Sequence, residues 1–440
     1  MMANDASNTF VEIVAIDHEG RGIAYDDDKT LFIENALLGE KLTYKIFKKK
    51  KKVFFAKSLQ ILEASANRSK PICENYGICG GCSMQHYDFG VQLAFKQKAF
   101  EETLVHVGKV KPINIMSPVS GPGQAYRHKA RLRAKYIAKK ERVLIGFNEK
   151  LSHFLTDMTS CEVIPKKISH LLAPLQYCLT SLSIKDQIPQ IEYASNQDRH
   201  LLVLRILAPL NDSDMAVLID FQNKYDIEFW TQTKGPETVA PLLKDMVHYI
   251  DYINKEFNLV YRFQPTGFTQ INPFINEVLI RKAMQLLEPK KIETIFDFFC
   301  GLGNFTLPIA TFGAKVIGFE GNNHLVNAAR ENAKLNKQTV MFEQRDLFKV
   351  SKDHIDKFGL ADKWLIDPPR DGAMELIKSI DKKKQPKKIV YISCNPASLA
   401  RDAEILIKEK GYQFSKAGVL NMFPHTSHIE SISLFESYDS

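Results

Sequence analysis

Residues 9–62 alternate short apolar or β-branched runs with turn residues: FVEIVAI, KTLFIE, EKLTYKIF and KVFFAKSLQIL are separated by signals such as HEGRG and LLGE. Such runs predict a small all-β barrel. VQLAFKQKAFEETLVHV then carries its apolar residues at helical spacing. In YRHKARLRAKYIAKKERV the rhythm changes: Arg127, Lys129, Arg131, Arg133 and Lys135 fall on alternate positions, opposite Ala130, Leu132, Ala134 and Tyr136. A strand sends alternate side chains to opposite faces, so one face is basic and the other apolar. A half-buried strand with a solvated face would show the same alternation. Surface strands usually mix both signs of charge, which favours a face turned toward a polyanion.

Residues 165–262 alternate helical and strand-like patterns and offer little recognisable chemistry. From residue 274 the rhythm is βαβ, with strands at TIFDFF, AKVIGFE, TVMFEQRD, KWLID and KIVYISC and helices such as HLVNAARENAKLN and ASLARDAEILIKEKG between them. Five strands at that spacing predict an α/β, doubly wound, mostly parallel sheet. YQFSKAGVL and HIESISLFE, joined by a short connection, predict an antiparallel pair at its edge. The chain thus divides into an all-β barrel (1–64), an α+β central domain (65–262) and an α/β domain (263–440).

Charge sharpens this division. The 440 residues carry a net charge of only +8, but residues 41–142 hold 22 Lys/Arg against 6 Asp/Glu, leaving the rest of the chain net negative. A positive field confined to one quarter of the chain is expected where one face meets a polyanion. The run Lys48 to Lys52 lies between two barrel strands, as a solvated loop tip or a basic hairpin. No apolar run is long enough to span a bilayer and MMANDASNTF lacks the features of a signal peptide, so a soluble, cytoplasmic protein is expected. The seven cysteines are then expected to be reduced.

Cys73, Cys79 and Cys82 are closely spaced, with Gly80 and Gly81 allowing the loop to curl around a metal. With a distant fourth thiolate, such a set holds either zinc or a [4Fe-4S] cluster, and spacing does not choose between them. Cys178 and Cys300 read as packing residues.

Asp297-Phe-Phe-Cys-Gly-Leu-Gly-Asn304 follows the first α/β strand and opens a helix, and Glu320 closes the second strand about 20 residues on, where such folds hold ribose hydroxyls. Thr306 replaces the third glycine that would permit close packing over a pyrophosphate, so a nucleotide-like ligand without phosphates fits better. Asp297 and Asn304 resemble the first motif of class I S-adenosylmethionine-dependent methyltransferases, in which Asp346 would stand near the adenine amino group. Of Phe298 and Phe299, alternation buries one and turns the other toward the ligand.

Asp367-Pro-Pro-Arg370 and Ser393-Cys-Asn-Pro396 end the fourth and fifth strands, at the carboxyl edge where open α/β sheets bind ligands. A thiolate at Cys394 suits covalent addition to C6 of a pyrimidine, which makes C5 nucleophilic enough to attack an electrophilic methyl group. A base must then remove the C5 proton. Glu430 is the candidate, with His428 as support or rival on the same strand face and His425 and Glu436 as weaker rivals.

DFFCGLGNF, DPPR, SCNPASLARD and NMFPHTSHIE together resemble the RNA uracil-5 methyltransferases over essentially the whole chain. The resemblance implies Cys394 as nucleophile, Glu430 as base, and cofactor contacts at Gln270, Phe299, Asn304, Glu320, Asp346 and Asp367. It also implies Cys161 as the fourth ligand of Cys73, Cys79 and Cys82, and iron-sulfur rather than zinc. Asn421 departs from the Asp that many members carry before MFPHT, and Asp346 falls at a variable position. The absence of an aromatic after Asp367-Pro-Pro disfavours amino-group methylation, and the absence of a cysteine in that motif disfavours cytosine.

The barrel resembles a TRAM domain. Barrel and cysteine cluster together resemble the branch acting on 23S ribosomal RNA, with Arg127, Lys129, Arg131 and Arg133 facing the RNA and no membrane or DNA partner. A monomer is expected. A tRNA-directed enzyme and an idle RNA-binding assembly factor are the alternatives.

Overall fold

A computed structural model describes residues 10–196, 198–350 and 358–437. Apart from Phe10, the opening stretch read for a signal peptide lies outside them. The N-terminal unit is a six-stranded sheet in the order Phe10–Glu12, Lys41–Lys50, Val53–Glu63, Lys29–Glu34, Gly22–Asp26, Ala15–Ile16. It curls so that its first strand also touches Gly22–Asp26, enclosing Val11, Ile13, Ala24, Leu31, Ile33 and Leu42. Gly22–Asp26 was hidden in the sequence inside an apparent turn. The lysine run ends one strand of the long hairpin and forms its turn, with Lys48 and Lys49 over the rings of Phe55 and Phe54.

The central sheet runs Ala240–Pro241, Glu228–Gln232, His200–Arg205, Gln190–Ser195, Lys129–Ile137, Arg142–Gly146. Its apolar face packs beneath the helices Leu172–Ser181 and Asp212–Tyr225. Along Lys129–Ile137, Ala130, Leu132 and Ala134 are buried while Arg131, Arg133 and Lys135 are exposed. Arg127 precedes the strand and is half-buried.

The third sheet places Met341–Gln344, Lys315–Glu320, Thr294–Phe298, Lys363–Ile366 and Lys388–Ser393 in parallel, followed by the antiparallel strands Glu430–Ser437 and Tyr412–Leu420. In chain order this is 3-2-1-4-5, with the reversal of order between Thr294–Phe298 and Lys363–Ile366. The predicted antiparallel pair is present but does not form the edge: Asn114–Ile115 pairs in parallel outside Tyr412–Leu420. Two residues are too few to carry a hydrophobic period, so this strand leaves no sequence signature.

Parts of the central segment pack on this sheet. Helix Phe89–His106 lies against Pro396–Lys408 and Tyr412–Leu420, and the hairpin Ile250–Asn254/Leu259–Phe263 lies against helix Asn323–Leu335. Gly108 is needed where this helix ends, because an added Cβ there would lie 2.3 Å from the Ala400 carbonyl oxygen. Among the described residues, no helix is long and apolar enough to cross a membrane.

Candidate active site

The topological switch point lies between the ends of Thr294–Phe298 and Lys363–Ile366, the place where open α/β sheets bind their ligands. The loop after the first of these turns through Phe299, Gly301 and Gly303, all at positive φ. Phe298 is fully buried, whereas Phe299 is half-buried against the Phe348 ring, the division that alternation predicted. A Cβ added to Gly301 would meet nothing within 4 Å, so the loop stands clear of the protein as a ligand cradle requires.

Glu320 accepts hydrogen bonds from the backbone N–H groups of Gly301 (3.1 Å) and Asn322 (2.8 Å), which ties the end of the second strand to the loop. The Asn304 and Asn276 side-chain amides exchange two bonds of 3.0 Å. Gln270 is half-buried just before helix Pro273–Leu287. Asp297 is fully buried; one carboxyl oxygen accepts from Thr306 and the other has no protein partner among the described residues. Burial raises the Asp297 carboxyl to about 8 and the Asp367 carboxyl to about 7. An open glycine loop, an unmatched buried oxygen and several carboxyl groups suit a cationic, phosphate-free ligand such as S-adenosylmethionine. Asp346 stands apart from this cradle. It is exposed, two residues past the end of its strand, and its carboxyl accepts from the Phe348 N–H at 3.1 Å.

Cys394 and Glu430 reach the same edge by different routes. Cys394 follows the last residue of Lys388–Ser393, and Glu430 begins the antiparallel strand beside it. Ser393 pairs with Ser431, whose hydroxyl donates to the Ser393 carbonyl at 3.1 Å. Burial pushes the Cys394 thiol up to about 11; Glu430 and Asp367 reinforce the shift and Arg370 opposes it. The Glu430 carboxyl is held well above the ordinary carboxylate range, chiefly by burial and then by Asp367.

Arg370 is exposed, with its guanidinium 3.3 Å from His428 Nδ1, and its carbonyl accepts from the Asn395 side-chain amide at 2.8 Å. His428 is not on the strand, as expected from sequence, but in the loop before it. His425 is committed elsewhere: its ring bonds the Gly123 carbonyl (2.9 Å) and the Gln92 amide (3.2 Å). Glu436 lies near the far end of the strand, 3.5 Å from Lys388.

Sequence reasoning missed two groups. Buried Asp402 accepts from Ala373 N (2.7 Å), Tyr391 Oη (2.7 Å) and Arg401 Nε (2.9 Å), and Arg401 donates to the Asp371 carbonyl at 2.8 Å. These contacts strap the loop after Asp367 to the helix after Cys394; the SLARD run was its only visible signal. Lys96 is the other, buried in an amphipathic helix where lysines ordinarily face solvent.

The four cysteines Cys73, Cys79, Cys82 and Cys161 line one cavity of about 120 Å³. Among the described residues, no group of three or more His, Cys, Asp or Glu converges closely enough to hold a single metal ion. A single zinc with Zn–S bonds of about 2.3 Å would draw tetrahedral thiolates to about 3.8 Å from one another. Four thiols lining one cavity are a donor set that either form of metal centre uses.

The cysteine loop touches both neighbouring units. Ser83 and Met84 N–H groups donate to the His425 carbonyl (2.9 and 3.0 Å), while Gly80 N donates to the Asn148 carbonyl (2.9 Å). The basic strand divides: Lys129 donates to the Gly267 carbonyl, Arg131 pairs with Glu192 at 2.9 Å, Arg133 bonds the Asn148 side chain at 3.0 Å, and Arg127 lines the cysteine cavity.

Residues 88–437 match the family described as tRNA (Uracil-5-)-methyltransferase. Two curated relatives, both named 23S rRNA (uracil(1939)-C(5))-methyltransferase RlmD, come from Nitrosospira multiformis and Thiobacillus denitrificans. The first is 45% identical over 97% of this chain and 98% of the relative, the second 47% identical over 98% and 100%. Among solved structures, the Pyrococcus abyssi tRNA (uracil-54, C5)-methyltransferase in complex with S-adenosyl-L-homocysteine shares the fold. Its TM-score is 0.74 at 22% identity, over 97% of this chain and 100% of that one.

Proposed function

The chain belongs to the tRNA (uracil-5-)-methyltransferase family, and from that premise we propose that it methylates C5 of a uridine in 23S ribosomal RNA with S-adenosylmethionine as donor. The target is the position named in its relatives, uracil 1939. The observation that carries the chemistry is the meeting of Cys394 and Glu430 at the carboxyl edge, beside Asp367 and the open glycine loop.

Gln270, Phe299, Asn304, Glu320 and Asp367 hold the cofactor, and Asp346 contributes only if its turn closes over the adenine. The bound cofactor supplies an electrophilic methyl group. Cys394 Sγ, its proton given up to solvent, adds to C6 of the flipped-out uracil, and the electron pair moved to C5 forms the new carbon–methyl bond as the methyl–sulfonium bond of the donor breaks and leaves its pair on sulfur as a neutral thioether. Glu430 then takes the C5 proton, the C5–C6 double bond re-forms and Sγ leaves as thiolate. A carboxylate with raised proton affinity is matched to that removal, and over one cycle the C5 proton is the only proton released.

Cys73, Cys79, Cys82 and Cys161 would hold a [4Fe-4S] cluster, whose bound iron would supply a rigid cross-link rather than electrons. The cysteine loop is the brace between His425 of the catalytic loop and Asn148 of the basic region. The N-terminal sheet acts as a TRAM domain and, with the basic strand, meets RNA phosphates. The protein works as a cytoplasmic monomer.

Incubation with tritiated cofactor and unmodified transcripts tests the reading. Label on 23S RNA is expected. Label on tRNA alone would assign the chain to the tRNA-directed branch, and label on neither would reduce it to an RNA-binding factor.

A further inference from the structure

The alternating basic strand was the sequence feature most suggestive of RNA, yet its charges are not equivalent. Lys129 is spent on a backbone carbonyl, and Arg131 is paired with buried Glu192. Arg133 keeps its charge: its recorded contacts are the neutral Asn148 side chain at 3.0 Å and the His153 carbonyl at 3.5 Å.

The sheet register supplies a second unneutralised arginine. Gln190 pairs with Arg133 on one side and with Arg205 on the other, so Arg133, Gln190 and Arg205 form one cross-strand row on one face. Strands about 4.8 Å apart put the two arginine backbones about 10 Å from each other, a gap that two long side chains can close on one tetrahedral anion. Arg205 donates to the Lys234 carbonyl at 3.1 Å, and among the described residues neither Arg133 nor Arg205 is in an ion pair. Both line a groove of about 490 Å³, with Gln190, Asn148 and Arg131.

Each guanidinium is thus oriented by a neutral oxygen while N–H donors remain free. That is how arginines are arranged when a phosphate is to be held by paired hydrogen bonds. The groove is also tied to the cysteine loop, because Asn148 orients Arg133 with its side chain and accepts from Gly80 with its carbonyl.

We propose that Arg133 and Arg205, on either side of Gln190 in the sheet row, form a subsite for a backbone phosphodiester of the RNA substrate, outside the methyl-transfer crevice. The proposal rests on the RNA-methylating function above and names where one phosphate of that substrate is held. It also adds Arg205, which lies outside the basic quarter of the sequence, and gives less weight to Arg131, which carries its own counterion.

The test measures binding of an unmodified 23S fragment to the full chain between 50 and 200 mM salt, for wild type, Arg133→Gln/Arg205→Gln and Arg131→Gln. Loss of one phosphate contact lowers the slope of log affinity against log salt by about 0.7–0.9. The double variant is expected to show that drop with its cofactor affinity and thermal midpoint unchanged, and Arg131→Gln a smaller one. An unchanged slope in the double variant, or an equal drop in Arg131→Gln, would overturn the subsite. Methylation of that fragment by wild type distinguishes such a failure from failure of the RNA-methylating reading itself.

Discussion

Lys96 Nζ lies 2.8 Å from Asn421 Oδ1 and 2.8 Å from the Phe423 carbonyl oxygen, clamping the first helix of the chain to the loop that leads to Glu430. Both partners are neutral and the amine is buried, so burial pushes Lys96 down from 10.5 to about 7. Between those values the unfolded chain binds more protons at this residue than the folded one. Its contribution therefore makes the fold more stable as pH rises from about 7 to 10.5, and its cost is fully present below 7.

Asn421→Asp, the residue that many family members resemble at this place, supplies the missing counterion. The thermal midpoint at pH 7 is expected to rise by about 1 °C for each kcal/mol gained in a chain of this length, with the advantage shrinking toward pH 10. A fall in the midpoint at pH 7 would show that the Asp carboxylate costs more to bury than the pair returns.

Asp402 gathers three donors and fixes the loop from Arg370 to Ala373. Gly372, at φ 78°, passes so close that an added Cβ would sit 2.7 Å from the Asp402 carboxylate. Asp402→Ala leaves those donors unpaired and is expected to destabilise the fold by about 2–3 kcal/mol. Turnover should fall more than cofactor affinity, because the strap reaches Arg370 rather than the glycine loop. Denaturant unfolding with steady-state kinetics checks both; equal losses in turnover and cofactor binding would mean the strap serves only the fold.

Glu430→Gln keeps the shape of the base and removes its function. Methylation is expected to slow by about 10²–10⁴-fold, while addition of Cys394 and methyl transfer still proceed. A covalent protein–RNA species carrying the methyl group should then accumulate and be visible on a denaturing gel. Full turnover by this variant would pass the role of base to His428.

The cysteine loop predicts a loss at two places at once. Cys79→Ser is expected to lower both thermal stability and RNA affinity, since this loop holds the His425 carbonyl on one side and Asn148 on the other. Unchanged values of both would remove the brace from the account.

Much of this was legible in the chain. The βαβ rhythm placed Asp297, Glu320, Asp367 and Cys394 correctly at strand ends, because a strand-end motif needs only local sequence to be seen. Local alternation likewise foretold that one of Phe298 and Phe299 is buried and the other is not, while the choice of Phe299 came from the family resemblance. What stayed hidden depends on cross-strand register or on packing between distant segments. Arg205 joins Arg133 only through Gln190, the Asn114–Ile115 strand is too short for a period, and Lys96 reads as an ordinary surface lysine until its helix docks. His428 was placed on a strand because HIESISLFE alternates without marking where pairing begins, which is Glu430.

The central claim is that Cys394 forms a bond to C6 before the methyl group arrives at C5. RNA carrying 5-fluorouridine at the target tests it most directly, since fluorine leaves no C5 proton for Glu430 to remove. With cofactor present, intact-mass measurement should show wild-type protein joined to one RNA with one added methyl group, and Cys394→Ala should show none. No adduct with wild type, on an RNA whose unfluorinated form is methylated, or an adduct that survives Cys394→Ala, would contradict the mechanism.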